Sequence, residues 1–249
     1  MVRIGNEVLM SSSRHGSEEA MAAHSVADAL RSPKPRVLVG GLGMGFTLRA
    51  TLDVLPPNAE VVVAELFPCV VEWCRGPLAA LSHHALDDPR VRVFEGDVQK
   101  VLRAPGSRFD CILLDVDNGP DALVTLGNRG LYTLDGLRTI AAALRPGGAV
   151  GIWSASGSRA FEKLMTRAGL RAGATRLDAR HDRARGGRHT LFLGRAPDDR
   201  RSGPRKPGAP GGSLSSTSRR GNPAGPSPSR PRQPSAAGPR PPRPRPRSS

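Results

Sequence analysis

The sequence predicts an α/β fold: a doubly wound, mostly parallel sheet finished by a C-terminal antiparallel hairpin. Three observations predict it. Five branched apolar runs alternate with helix-periodic segments between Arg36 and Trp153. The first run stops at a glycine-rich turn, Gly41-Leu42-Gly43-Met44-Gly45, and a helical pattern begins at once. The runs are almost continuously β-branched, the habit of strands buried on both faces.

In chain order, the segment before residue 36 carries a short apolar piece at Val8–Met10. Ser17 followed by Glu18, Glu19 and a periodic segment (Met21, Val26, Leu30) then predicts a helix capped at Ser17. Pro33 and Pro35 end it. Strands are predicted at Val37–Val39, Glu60–Ala64, Val91–Phe94, Cys111–Leu114 and Ala149–Trp153. Helices are predicted at Thr47–Leu55, Pro68–Leu81, Val98–Leu102 and Gly136–Leu144, with "LRPGGAV" supplying a stop, a turn and the next strand. A further helix at Arg159–Ala168 leads to strands near Ala172–Leu177 and His189–Leu193. The charged stretch "RHDRARGGR" joins those two strands. A last helix and hairpin after five βα units is the layout of a methyltransferase-type Rossmann-like sheet rather than of a dehydrogenase.

Charge divides the chain. Residues 196–249 hold 12 Lys+Arg against 2 Asp+Glu, together with 14 of the 24 prolines. Such a composition buries too little apolar surface to offset the entropy of ordering, so a disordered basic tail is expected. The other 195 residues hold 25 Lys+Arg against 20 Asp+Glu, so most of the formal charge of +15 belongs to the tail. The tail lacks the interleaved aromatic residues that stack on bases, so no specific nucleic-acid partner is expected. The domain reading is therefore 1–35 (N-terminal segment), 36–195 (ligand-binding sheet) and 196–249 (tail). Cys69, Cys74 and Cys111 have no metal-ligand spacing, and no metal is expected. An odd thiol count, no apolar leader and no apolar run near ~18 residues predict a cytoplasmic protein away from membranes.

In this architecture ligands bind at the carboxyl ends of the strands. The glycine turn (Gly41, Gly43, Gly45) follows the first strand, Glu65 the second, Asp97 the third and Asp115 the fourth. One acid per strand end suits an adenosine-containing ligand. A carboxylate after strand two can accept both ribose hydroxyls, and one after strand three can take the adenine amine. Each acid also has a structural reading as a helix N-cap, and the "DNGPD" stretch is a good turn in its own right. NAD fits less well, because the turn lacks the third glycine at dehydrogenase spacing and the pocket is acidic. A sulfonium ligand suits that acidity better. Trp73 and Trp153 read either as an adenine wall or as packing, and His15 and His24 as solvated side chains.

The stretches "VLVGGLGMGFTLRA", "VVVAELFPCVVEW", "VRVFEGDVQKVL", "FDCILLDVDNGP" and "LYTLDGLRTIAAALRPGGAV" resemble the spermidine synthase (polyamine aminopropyltransferase) family, over about residues 36–155. The resemblance implies a transferase whose co-substrate is S-adenosylmethionine or its decarboxylated form. It implies Glu65 as the ribose acid and Asp97 as the adenine acid. Asp115 would be the base that orients and deprotonates a small cationic acceptor. The sequence departs from that pattern in four respects. Met44 replaces the loop acid that meets the aminopropyl end of the donor. Asn118 replaces the second acid after strand four, with Asp117 beside it as a substitute. Tyr132 is the lone tyrosine, and the family's N-terminal β-hairpin domain is largely missing. Three functions follow: aminopropyl transfer to a di- or polyamine, methyl transfer to a small molecule (favoured by Met44), or non-catalytic nucleoside binding. A homodimer is compatible with each.

Overall fold

The structure is a computed structural model that describes residues 2–4, 7–10, 16–116, 130–178 and 188–198. Asp117, Asn118, His15, most of the charged 180–188 stretch and the tail beyond residue 198 lie outside the described residues.

Strands β1 (Val2–Ile4) and β2 (Glu7–Met10) pair antiparallel as a sheet of their own. The first residues thus contain one small antiparallel pair, where the sequence shows only an apolar piece. Helix α1 (Gly16–Val26) follows. The main sheet takes β3 (Arg36–Gly40), β4 (Glu60–Glu65), β5 (Val91–Glu95), β6 (Phe109–Leu114), β7 (Leu144–Ser154), β8 (Arg171–Asp178) and β9 (Arg188–Arg195). Their order is β5-β4-β3-β6-β7-β9-β8. Neighbours from β5 to β7 run parallel, and β9 is antiparallel to both strands it touches. The predicted α/β class, with a mostly parallel sheet and a C-terminal antiparallel hairpin, is what the chain forms.

Period-two alternation explains how the sheet carries two cores. Val37, Val39, Val61, Val63, Cys111 and Leu113 face one side, where they meet Met21 and Val26 of α1 and Leu48 and Leu52 of α2 (Phe46–Val54). Val71 and Cys74 of α3 (Pro68–Arg75) complete that layer. Leu38, Ile112, Leu114, Val150 and Ile152 face the other side. There they meet Val98 and Leu102 of α4 (Val98–Arg103), Leu137 and Ile140 of α5 (Leu134–Ala143), and Phe161 and Met165 of α6 (Arg159–Arg167).

Three local expectations change. The helix predicted at 68–81 stops at Arg75, because Gly76-Pro77 breaks it, and resumes only as a 3-10 turn at Ala79–Ser82. The "RPGG" turn is absorbed into β7 as a bulge. Phe109 pairs with Leu144 but Cys111 with Ala149, and Gly147 takes a φ of 74° to pass the extra residues. Ser17 is not the cap of α1: the helix includes it, and its side chain is fully buried.

The aromatic centre of the second core is Phe161, edge-on to Phe192 at 5.0 Å and to Tyr132 at 5.9 Å. Phe192 is fully buried on β9, so Phe192→Ala is expected to cost about 3–5 kcal/mol in urea unfolding. A loss below about 1 kcal/mol would mean that the hairpin is not packed into the core as described.

Candidate active site

The sheet changes direction of winding between β3 and β6, and the glycine turn leaves β3 there. Backbone bonds first extend the sheet: Asp115 N–H donates to Gly40 O (2.8 Å) and Gly41 N–H to Ala64 O (2.9 Å). Gly41 then adopts φ 88°, and a Cβ placed on it would sit 2.2 Å from the Asp115 carbonyl oxygen. Only glycine fits, both by conformation and by space. Gly43 and Gly45 also hold positive φ, 54° and 83°. Gly45 is the N-cap of α2 and provides no side-chain cap, so the positive end of that helix dipole faces the turn.

Glu65 braces the turn from the β4 side. Its Oε2 accepts from Leu42 N–H at 2.8 Å and its Oε1 from Phe67 N–H at 2.9 Å, with the side chain 6% exposed. Each oxygen keeps a second acceptor site, so the carboxylate serves the loop and can still meet a hydroxyl. Asp115 flanks the turn from the β6 side. Its Oδ2 accepts from the Thr47 hydroxyl of α2 at 3.3 Å. Burial, and then the charge of Glu18, push its carboxyl up to about 7, while the Thr47 bond pulls the other way. Glu65, the glycine turn and Asp115 therefore converge at the switch point.

Asp97 is placed differently. Gly96 N–H donates to Glu65 O at 2.7 Å, which holds Asp97 at the same edge of the sheet. Its side chain, however, caps α4: Oδ1 accepts from Gln99 N–H at 2.8 Å. The structural reading of this acid is realised, and both oxygens serve it, since Oδ2 also accepts from Gln99 Nε2 at 3.4 Å. Asp117, the other proposed catalytic acid, lies outside the described residues. Met44, at the position of the loop acid, is buried (4% exposed). Tyr132 packs on Phe161, and His24 is exposed. Cys74 donates its thiol to Gly43 O at 3.2 Å, and burial together with Glu65 pushes it up to about 11, so it is inert packing under the turn.

The sequence reading missed Thr47, Ser17, Glu18 and His189. Ser17 Oγ donates to Glu18 Oε2 (2.6 Å), accepts from Trp153 Nε1 (3.2 Å) and lies 2.9 Å from His189 Nδ1. The Trp153 and His189 rings meet edge-on at 4.5 Å. Trp153 is thus an anchor for α1 as well as part of the core. Nothing local in the sequence links positions 17, 153 and 189.

Two outcomes follow from this geometry. Gly41→Ala is expected to destabilise the fold by about 3 kcal/mol or more in urea unfolding, combining strain at positive φ with overlap on Asp115. Gly173→Ala on β8, with open space around it, should stay within about 1 kcal/mol. Equal effects would contradict the close approach. The second concerns Asp115, whose proton is held more tightly in the folded chain than in the unfolded one. Its ionisation therefore costs stability, a cost absent below about pH 4 and complete above about pH 7. Asp115→Asn should raise the thermal midpoint at pH 8 more than at pH 5, and an equal change at both pH values would remove the buried-acid assignment.

Comparison with known proteins gives the chain its relatives. No family model matches the sequence. The polyamine aminopropyltransferase of Mycobacterium tuberculosis is 36% identical over 133 residues, 52% of this chain and 24% of that protein. The chain therefore spans about a quarter of the length of this curated relative. A spermidine synthase solved with the transition-state analogue AdoDATO superimposes with a TM-score of 0.56 at 17% identity, covering 74% of this chain and 61% of that one. Human methyltransferase-like protein 13, solved with SAH, reaches 0.51 at 16% identity, covering 74% and 81%. The structures share the fold, and the sequence match goes further: this chain resembles the spermidine synthase (polyamine aminopropyltransferase) family across its Rossmann-like core.

Proposed function

We propose that the protein is a transferase that moves an aminopropyl group from decarboxylated S-adenosylmethionine to a di- or polyamine. The observation that carries this reading is the convergence of Glu65, the Gly41–Gly45 turn and Asp115 at the switch point, in a chain whose sequence relatives are aminopropyltransferases.

In this reading the glycine turn lets the adenosyl group approach the backbone, Glu65 offers its remaining acceptor sites to the ribose hydroxyls, and Asp97 meets the adenine amine with the remaining acceptor site of Oδ2, the oxygen held only by the 3.4 Å bond from the Gln99 side chain. The sulfonium supplies the activated carbon. An attacking amine must arrive with its lone pair unprotonated and aimed along the bond that breaks. Asp115, whose carboxyl is pushed up to about 7, orients the ammonium and accepts its proton in its ionised form. Asp117 is its proposed companion. The ligand pocket is acidic, so it concentrates cationic acceptors and disfavours phosphate-bearing ligands.

A second reading, methyl transfer from S-adenosylmethionine to a small molecule, is favoured by Met44. A buried thioether replaces the acid that would meet the donor's amine. Calorimetric titration with the two donors in parallel separates the readings. Tighter binding of the decarboxylated form is expected, and preference for the intact amino acid form would overturn aminopropyl transfer in favour of methyl transfer. Asp115→Asn should lower kcat for the acceptor amine by about 10²–10⁴-fold with donor affinity kept, as expected for loss of a general base. Turnover at the wild-type rate would remove Asp115 from that role.

A further inference from the structure

Helix α1 runs antiparallel to β6 across one face of the sheet, and its level along the sheet is fixed. Cys111 Sγ donates to Ser25 O at 3.3 Å. From Ser25 back to Ser17 is eight helical residues, about 12 Å. From Cys111 forward to Asp115 is four strand residues, about 13 Å. The start of α1 therefore lies level with Asp115 at the carboxyl ends of the strands. Register agrees: Leu114 pairs with Ile152, which puts Trp153 beside Asp115, and Trp153 Nε1 donates to Ser17.

Ser17 is over-determined at that level. It has one hydroxyl proton, and the 2.6 Å contact assigns it to Glu18 Oε2. The oxygen then accepts from Trp153 Nε1 and from His189, whose Nδ1 must carry a proton to bond it at 2.9 Å. A fully buried hydroxyl thus fixes a half-buried carboxylate in place.

We propose that Glu18 is a positioning residue for Asp115: held by Ser17, it presents its negative charge to Asp115 across the strand ends and so sets how readily Asp115 takes a proton from an incoming amine. The proposal rests on the transferase reading above. Glu18 is the charge that raises Asp115, after burial itself. Among the described residues the polar groups bonded around this pair are Thr47 from α2, Ser17 from α1, Trp153 from β7 and His189 from β9. The proton balance is simple. The ammonium gives its proton to the Asp115 carboxylate, and the neutral nitrogen forms the new C–N bond as the C–S bond breaks, its electron pair leaving on the thioether sulfur. A carboxylate beside the base makes it a stronger base and draws the cation in.

An acid in the first turn of a helix also has a purely structural use against the helix dipole. Titration of the Asp115 side-chain carboxyl carbon by NMR separates the two, because it needs no activity. In the wild type the midpoint should lie near 7. In Glu18→Gln it should fall by about half a unit or more, roughly a threefold loss of proton affinity. Glu18→Asp should recover most of it, and Ser17→Ala, which frees Glu18, should fall between. An Asp115 midpoint unmoved in Glu18→Gln, with only the melting temperature lowered, would overturn the proposal. Should Glu18→Gln fold poorly, Ser17→Ala carries the same test, since an unmoved midpoint there also counts against it. In the active protein the acid limb of the kcat/KM profile should move to lower pH in E18Q. If the midpoint shifts while the wild type consumes neither donor, the coupling of Glu18 to Asp115 stands and the transferase reading falls.

Discussion

The backbone at Gly41 lies so close to the backbone at Asp115 that no side chain can stand between them. That approach makes the site. It brings the end of β3 against the end of β6, turns the chain into α2 with the positive dipole end forward, and leaves Glu65 and Asp115 on opposite flanks of one bend. The same contact ties folding to function. A group that supports the sheet, the Asp115 peptide, belongs to the residue that would act as base.

Asp115 and Glu65 solve the problem of a buried carboxylate in opposite ways. Glu65 accepts two backbone N–H groups, so its charge is compensated by dipoles and it becomes part of the loop. Asp115 has one hydroxyl donor at 3.3 Å and another carboxylate for company, so its proton affinity rises. One acid is built into the loop, and the other keeps a raised proton affinity. That division is the one the proposed transfer would use, with a neutral sugar on one side and a proton acceptor on the other.

Much of this was legible in the sequence, for a physical reason. Strands such as Val37–Val39 and Cys111–Leu114 are buried on both faces, so their apolar runs are unbroken and their ends are marked by the glycine turn and by Asp115. The acids at those ends could be read because the fold puts ligands there. What could not be read depended on tertiary contact. Ser17 has the look of a cap, yet its hydroxyl is spent on Trp153 and His189, far along the chain. Gly76-Pro77 ended α3 early although the apolar period continues past it. Asp97 had two readings that local sequence does not separate, and the geometry gives its side chain to the helix.

If the glycine turn and its flanking acids hold one adenosyl group, whichever reaction follows, the backbone around them should respond to that group alone. Amide hydrogen exchange with and without 5′-methylthioadenosine, the part common to both donors, reads that response. Slowed exchange is expected at the Leu42–Thr47 turn, the Leu66–Phe67 amides and Val98–Gln99, and nowhere else. Unchanged exchange at the turn, or protection confined to the opposite, amino-terminal edge of the sheet, would contradict it.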